Sequence, residues 1–188
     1  MQVKFVPLPK LYSILGNLAT ELIAVDAPPV QRDLREHGQK KTKEMHQAAL
    51  FARVIQGAFE VEPTEMLVGF PEDEYCDHDA VLLWKKEEKV TQLKVQLKEL
   101  PPANLNPKVT IEEIINRVVT KLPRSPDVLV AIFVNRSGGA QKVNVPHHGL
   151  AGFCAYGFTG LHPQTIFVVG YIGETRIEAT VPLKLLND

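Results

Sequence analysis

Between Asp77 and Leu100 the chain reads DHDAVLLWKKEEKVTQLKVQLKEL, and its pattern of apolar and polar positions changes twice. Ala80 to Trp84 is an unbroken apolar run behind Asp77 and Asp79, Lys85 to Lys89 is charged, and Val90 to Leu100 alternates. Leu93, Val95 and Leu97 fall on one face of that last stretch; Gln92, Lys94, Gln96 and Lys98 fall on the other. A period of two is that of a half-buried strand. The stretch therefore predicts an antiparallel hairpin folded about its charged turn. With the turn centred between Lys86 and Glu87, Asp79 lies opposite Lys94 and Asp77 opposite Gln96. A shift of two residues sets Asp79 opposite Gln96, and in either register the polar side chains share a face.

Helical spacing marks the chain on both sides. Leu11, Ile14, Leu15, Leu18, Leu22 and Ile23 predict an amphipathic helix from Leu11 to Val25, stopped by Ala27-Pro28-Pro29. A charged second helix is expected from Val30 to His37, ending at Gly38. From Lys40 to Ala58 the residues Met45, Ala48, Ala49, Ala52, Ile55 and Phe59 form an apolar stripe with Glu44 at its border. Met66 to Phe70 predicts a first strand, joined to the hairpin by an acidic turn that holds Asp73 and Glu74. After a proline-rich loop, Thr110-Ile111-Glu112-Glu113 is a capping box opening a helix whose face is Ile111, Ile114, Ile115, Val118, Val119 and Leu122. Asp127 to Val134 is a continuous apolar run, the mark of a buried and often parallel strand, so the intervening helix predicts a right-handed crossover. Beyond Asn135, the stretch Gly152 to Gly160, GFCAYGFTG, is expected as a packed irregular loop, and two closing strands are expected around Gly173.

Composition narrows the class. A chain of 188 residues with 45% apolar and 23% charged residues suits a single α/β domain, with an N-terminal helical region over 1–38, a core over 40–134 and C-terminal strands and loops over 135–188. The net charge of −1 gives no global pull toward polyanions, so nucleic acid would have to be met by a local basic patch. Arg136 and Lys142 are candidates for phosphate contact. Two isolated cysteines, Cys76 and Cys154, imply neither a disulfide framework nor a zinc site and fit a reducing cytoplasm. The adjacent His147 and His148 would point to opposite faces of a strand, and no third ligand is evident. The first apolar region carries Glu21 and is too short and polar to span a bilayer, so no membrane association is expected.

The chemistry lies on the hairpin. An acid at a strand start, and an amide, an apolar residue and a lysine on the next strand, form a group able to hold a divalent cation. Asp79, the side-chain carbonyl of Gln96 and the backbone carbonyl of Leu97 are oxygen donors of the kind Mg²⁺ takes, Asp77 is the alternative acid, and Lys98 is placed to act on a bound water. The same alternation would equally serve as the solvated face of an antiparallel sheet.

The segments D-AVLLW and V-QLK-EL resemble the PD-(D/E)XK nuclease superfamily. The resemblance extends over roughly Glu44 to Val134 through the order helix, strand, strand, strand, helix, strand. It implies a restriction-endonuclease-like fold, a mixed β-sheet flanked by helices, and a metal-dependent nuclease with DNA foremost as substrate. It assigns Mg²⁺ or Mn²⁺ to Asp79 and Gln96, with Glu44 as an added ligand from the preceding helix, and assistance of the nucleophile to Lys98. No proline directly precedes Asp79, and Gln96 stands where the family has Glu or Asp. The amide removes a negative charge and weakens metal binding, which opens a second reading: a non-catalytic module for nucleic acid or protein on the same fold. The N-terminal helices are candidates for a homodimer contact as well as for packing on their own sheet.

Overall fold

The computed structural model describes residues 2–24, 39–73, 76–121, 127–136, 150–159 and 162–182. Their elements run β1 (Val3–Pro7), α1 (Leu8–Ala24), α2 (Lys40–Ala58), a 3₁₀ turn (Pro63–Glu65), β2 (Met66–Pro71), β3 (Ala80–Lys86), β4 (Lys89–Leu100), α3 (Ile111–Lys121), β5 (Val128–Val134), β6 (Gly152–Thr159), β7 (His162–Ile172) and β8 (Thr175–Pro182). The strands form one mixed sheet whose spatial order follows the chain, β1 through β8. β4, β5 and β6 are mutually parallel neighbours, and every other adjacent pair is antiparallel. This is an α/β protein with helices on both faces of a mixed sheet. The charged helix expected over 30–37 lies outside the described residues, as do Glu74, Lys142, His147 and His148.

The two faces bury different sets of side chains. Leu8, Leu11 and Leu15 of α1 and Ala48, Phe51, Ala52 and Ile55 of α2 close over Leu82, Leu93, Val95, Leu97, Leu129 and Tyr156. On the opposite face Ile114, Ile115 and Val118 of α3 cover Leu100, Val130, Ile132, Phe153 and Ala155. β5 is apolar throughout because both of its faces are covered. The capping box opens α3 as its sequence implies, with the Glu113 amide donating to Thr110 Oγ1 at 3.2 Å.

Helix α2 is fixed at two carbonyls. Tyr156 Oη donates to Gln47 O at 3.0 Å and Tyr12 Oη donates to Ala49 O at 2.8 Å, each taking the lone pair that the helical ladder leaves over. The Tyr156 ring lies between Phe51 and Phe133, with centroids 5.1 and 5.4 Å away. Together these contacts set the height and rotation of the helix that carries Glu44.

Three expectations are corrected. A strand precedes the first helix: β1 pairs with β2 from Val3↔Pro71 to Pro7↔Leu67, and the helix begins at Leu8. The hairpin turn is shorter than its charged run, since Lys86 pairs with Lys89 and only Glu87 and Glu88 are left to turn, Glu87 at φ 56°. The glycine-rich GFCAYGFTG stretch holds strand β6, not a loop: Phe153, Cys154, Ala155 and Tyr156 are buried between β5 and β7.

Candidate functional site

β3 and β4 differ in length, and the difference opens the site. Their register closes at Ala80↔Val95, which is the alternative that sets Asp79 across from Gln96. β4 continues to Leu100 with β5 along one edge, while on its other edge β3 has not yet begun. The Asp79 amide makes the last backbone bond, donating to Val95 O at 2.9 Å. A notch in the sheet follows, bordered by Gln96, Leu97 and Lys98.

Asp79 turns its carboxylate into this notch. Its Oδ2 accepts from the Leu97 amide at 2.7 Å and from Gln96 Nε2. Alternate residues of a strand turn both backbone groups to the same neighbour. The Leu97 carbonyl therefore shares the notch edge with its amide. Asp77, the other acid considered from sequence, instead accepts at Oδ1 from Nδ1 of the buried His78, at 2.8 Å.

The remaining wall comes from α2. A cleft of about 280 Å³ is lined by Lys40, Lys43, Glu44, Gln47, Asp79, Leu97, Lys98 and Glu99. Glu44 is half-buried and pairs with Lys40 at 3.6 Å. Burial pushes its carboxyl above the usual range, the charge of Asp79 pushes the same way, and Lys40 opposes both. Lys98 is pulled below the usual lysine range chiefly by burial, against the attraction of Asp79 and Glu44 and with the repulsion of Lys121 and Lys40. Asp79, Lys98 and Glu44, separated by as many as 54 positions in the chain, thus border one cleft, and Gln96 reaches it through its bond to Asp79.

Sequence reasoning missed Lys40, Lys43, Gln47 and Glu99. Lys43 ion-pairs with Glu99, whose other oxygen accepts from Asn135 Nδ2 at 2.8 Å, so α2, β4 and the end of β5 are tied together beside the cleft. Glu44 and Gln47 are three apart on one helical face, a spacing that marks Gln47 once Glu44 is singled out. Arg136 is corrected in role. Its guanidinium donates to the carbonyls of Pro101 at 3.0 Å, Asn106 at 3.1 Å and Val109 at 2.7 Å, and so holds a loop instead of facing outward for phosphate.

The donor chemistry of the notch suits a hard cation. The carboxylates of Asp79 and Glu44, the Leu97 carbonyl and the side-chain oxygen of Gln96 are oxygen donors of the kind such a cation takes. Gln96 here turns its NH₂ toward Asp79; its amide N and O exchange places by a half-turn of the terminal group. Among the described residues no group of three or more His, Cys, Asp or Glu stands close enough to hold a metal ion together; of the three carboxylates lining the cleft, Glu99 is paired with Lys43, which leaves Asp79 and Glu44 beside Lys40 and Lys98.

The fold and the site define an α/β protein with a polar notch at the switch from antiparallel to parallel pairing. No protein family, curated protein or solved structure matches this chain. Among the described residues no helix is long and apolar enough to cross a membrane.

Proposed function

We propose that the chain is a metal-dependent phosphodiesterase acting on nucleic acid, DNA foremost, and that α2, β2, β3, β4, α3 and β5 form a restriction-endonuclease-like core. The reading rests on one observation above others: Asp79 Oδ2 receives both Gln96 Nε2 and the Leu97 amide where β3 stops short of β4, and Glu44 and Lys98 face the same cleft. The order of those elements, with β4 and β5 parallel across α3, supports the resemblance to PD-(D/E)XK nucleases.

Asp79, Glu44, the Leu97 carbonyl and the Gln96 side-chain carbonyl would hold Mg²⁺ or Mn²⁺, which when bound supplies Lewis-acid stabilisation of the phosphoryl oxygens. The chain's own groups do the rest. Gln96 and the Leu97 amide fix the rotamer of Asp79. Lys98, as the neutral amine that burial favours, takes a proton from water and becomes the ammonium as the water oxygen bonds to phosphorus. One ester P–O bond breaks, and the leaving oxygen takes its proton from solvent.

Gln96 favours a second reading, a binding module without catalysis, because the amide is engaged with Asp79 and brings no charge to a cation. Cleavage separates the two. A panel of single- and double-stranded DNA and RNA is incubated with the protein in Mg²⁺ and in Mn²⁺, beside Lys98→Ala shown by circular dichroism to be folded. Metal-dependent cutting that vanishes in Lys98→Ala is the expected result. Equal cutting by both proteins, or none by either, overturns the phosphodiesterase reading.

A further inference from the structure

The end of β4 borders a second groove. Lys98 and Glu99 line the cleft with Asp79 on one side, and on the other they line a groove of about 400 Å³ shared with Val109, Ile114, Arg117, Val118 and Lys121. The two hollows thus adjoin at Lys98 and Glu99. They differ in chemistry: Asp79 and Glu44 line only the first, with lysines beside them, whereas the second adds aliphatic Val109, Ile114 and Val118 and basic Arg117 and Lys121 to the shared Lys98 and Glu99.

We propose that this second groove binds a single-stranded segment of nucleic acid next to the bond at the Asp79 notch, with a base or sugar against Val109, Ile114 and Val118 and phosphates on Arg117 and Lys121. The inference rests on the phosphodiesterase reading for what occupies the notch, and on the groove itself for the rest. Arg117 and Lys121 lie one helical turn apart on the same face of α3, a separation of about 6 Å that is comparable to the step between adjacent phosphates. The Arg117 side chain is 69% exposed and its contact with Glu113 is long, 3.9 Å, so a phosphate can displace that pairing at little cost. A lone phosphate needs no apolar floor. A duplex keeps its bases stacked inward and is too wide for a hollow of this volume; an unpaired nucleotide has both the apolar face and the charge that the groove matches. Arg136 stands behind the groove, and its three bonds to Pro101, Asn106 and Val109 hold the loop that lines one side of it.

The test is fluorescence anisotropy with labelled short oligothymidylate, oligouridylate and a duplex of equal length, in EDTA so that nothing is cut. The wild-type chain is compared with Arg117→Ala/Lys121→Ala and with Lys4→Ala/Lys89→Ala, which removes equal charge elsewhere on the surface. We expect single strands to bind more tightly than the duplex. The groove variant should lose at least about tenfold in affinity and about one to two in the slope of log affinity against log salt, while the remote variant stays within about twofold of wild type. Equal loss in both variants, no loss in the groove variant, tighter binding of the duplex, or no binding of any oligomer overturns the proposal. Because no metal is present, the two claims fail separately: tight groove-dependent binding without cleavage sinks only the phosphodiesterase, and cleavage with an unchanged groove variant sinks only the groove.

Discussion

At the scale of single residues, the site turns on how burial and charge are balanced between Lys98, Glu44 and Asp79. Burial lowers the Lys98 pKa, so its neutral amine is reached at a lower pH than in an exposed lysine. The cleavage rate should therefore rise with pH and level off below the ordinary lysine range; in Lys98→Arg, whose guanidinium keeps its proton, a pH–rate profile should show no such rise. Glu44 has the opposite bias. Its folded pKa is raised above the unfolded value, so folding takes up a proton. The resulting stability is present below the ordinary glutamate pKa and is lost as pH rises through the folded value. Glu44→Gln should accordingly have a higher Tm than wild type at neutral pH and no advantage in acid, which a pair of thermal melts at the two pH values checks.

Residue identity also explains what was visible in the sequence at the site. Asp79, Gln96 and Lys98 stand out because a two-residue period singles out one face of β4. The acid opposite Gln96 was open between Asp77 and Asp79, since the register depends on Glu87 taking a φ of 56°, a conformation more often given to Gly or Asn and unmarked by any such residue here. Lys43 and Glu99 carried no signal at all. Their pairing joins a helix to a strand 56 positions later and exists only through the tertiary fold.

At the scale of elements, helices and strands with a clean period were legible. α2 spans Lys40–Ala58, as its stripe predicts, and the β4, α3, β5 crossover follows from the capping box and the apolar run. β1 escaped notice because it is a five-residue edge strand running directly into a helix. β6 escaped because glycine reads as a breaker. In this sheet glycine has another use. A Cβ on Gly152 would lie 2.0 Å from Tyr171 O, and one on Gly170 would lie 2.0 Å from Phe153 O, both residues at strongly positive φ. Gly170→Ala should break the β6 to β7 pairing and abolish cooperative unfolding or soluble expression. A milder test addresses α2. Tyr156→Phe removes the bond to Gln47 O but keeps the ring between Phe51 and Phe133, and should cost about 1 kcal/mol in urea denaturation, because the carbonyl retains its helical partner.

At the scale of the whole molecule, a mixed sheet covered on both faces places its chemistry where strand lengths differ. β4 is 12 residues long against 7 for β3, and the surplus carries Gln96, Leu97 and Lys98 past the last paired residue. Helix α2 supplies Glu44 from one face, and α3 sets its basic turn beside the other. A net charge of −1 gives no hint of this local arrangement, in which Asp79 and Glu44 line one hollow and Arg117 and Lys121 the adjoining one.

The central claim is that the Asp79 notch is a cation site serving phosphodiester hydrolysis, and Mn²⁺ titration by calorimetry tests it most directly, with wild type, Asp79→Asn and Gln96→Glu compared at one pH. The account predicts saturable binding in wild type, loss of it in Asp79→Asn, and at least about tenfold tighter binding in Gln96→Glu, where a third carboxylate joins the donors. Indistinguishable isotherms for the three folded proteins would contradict it.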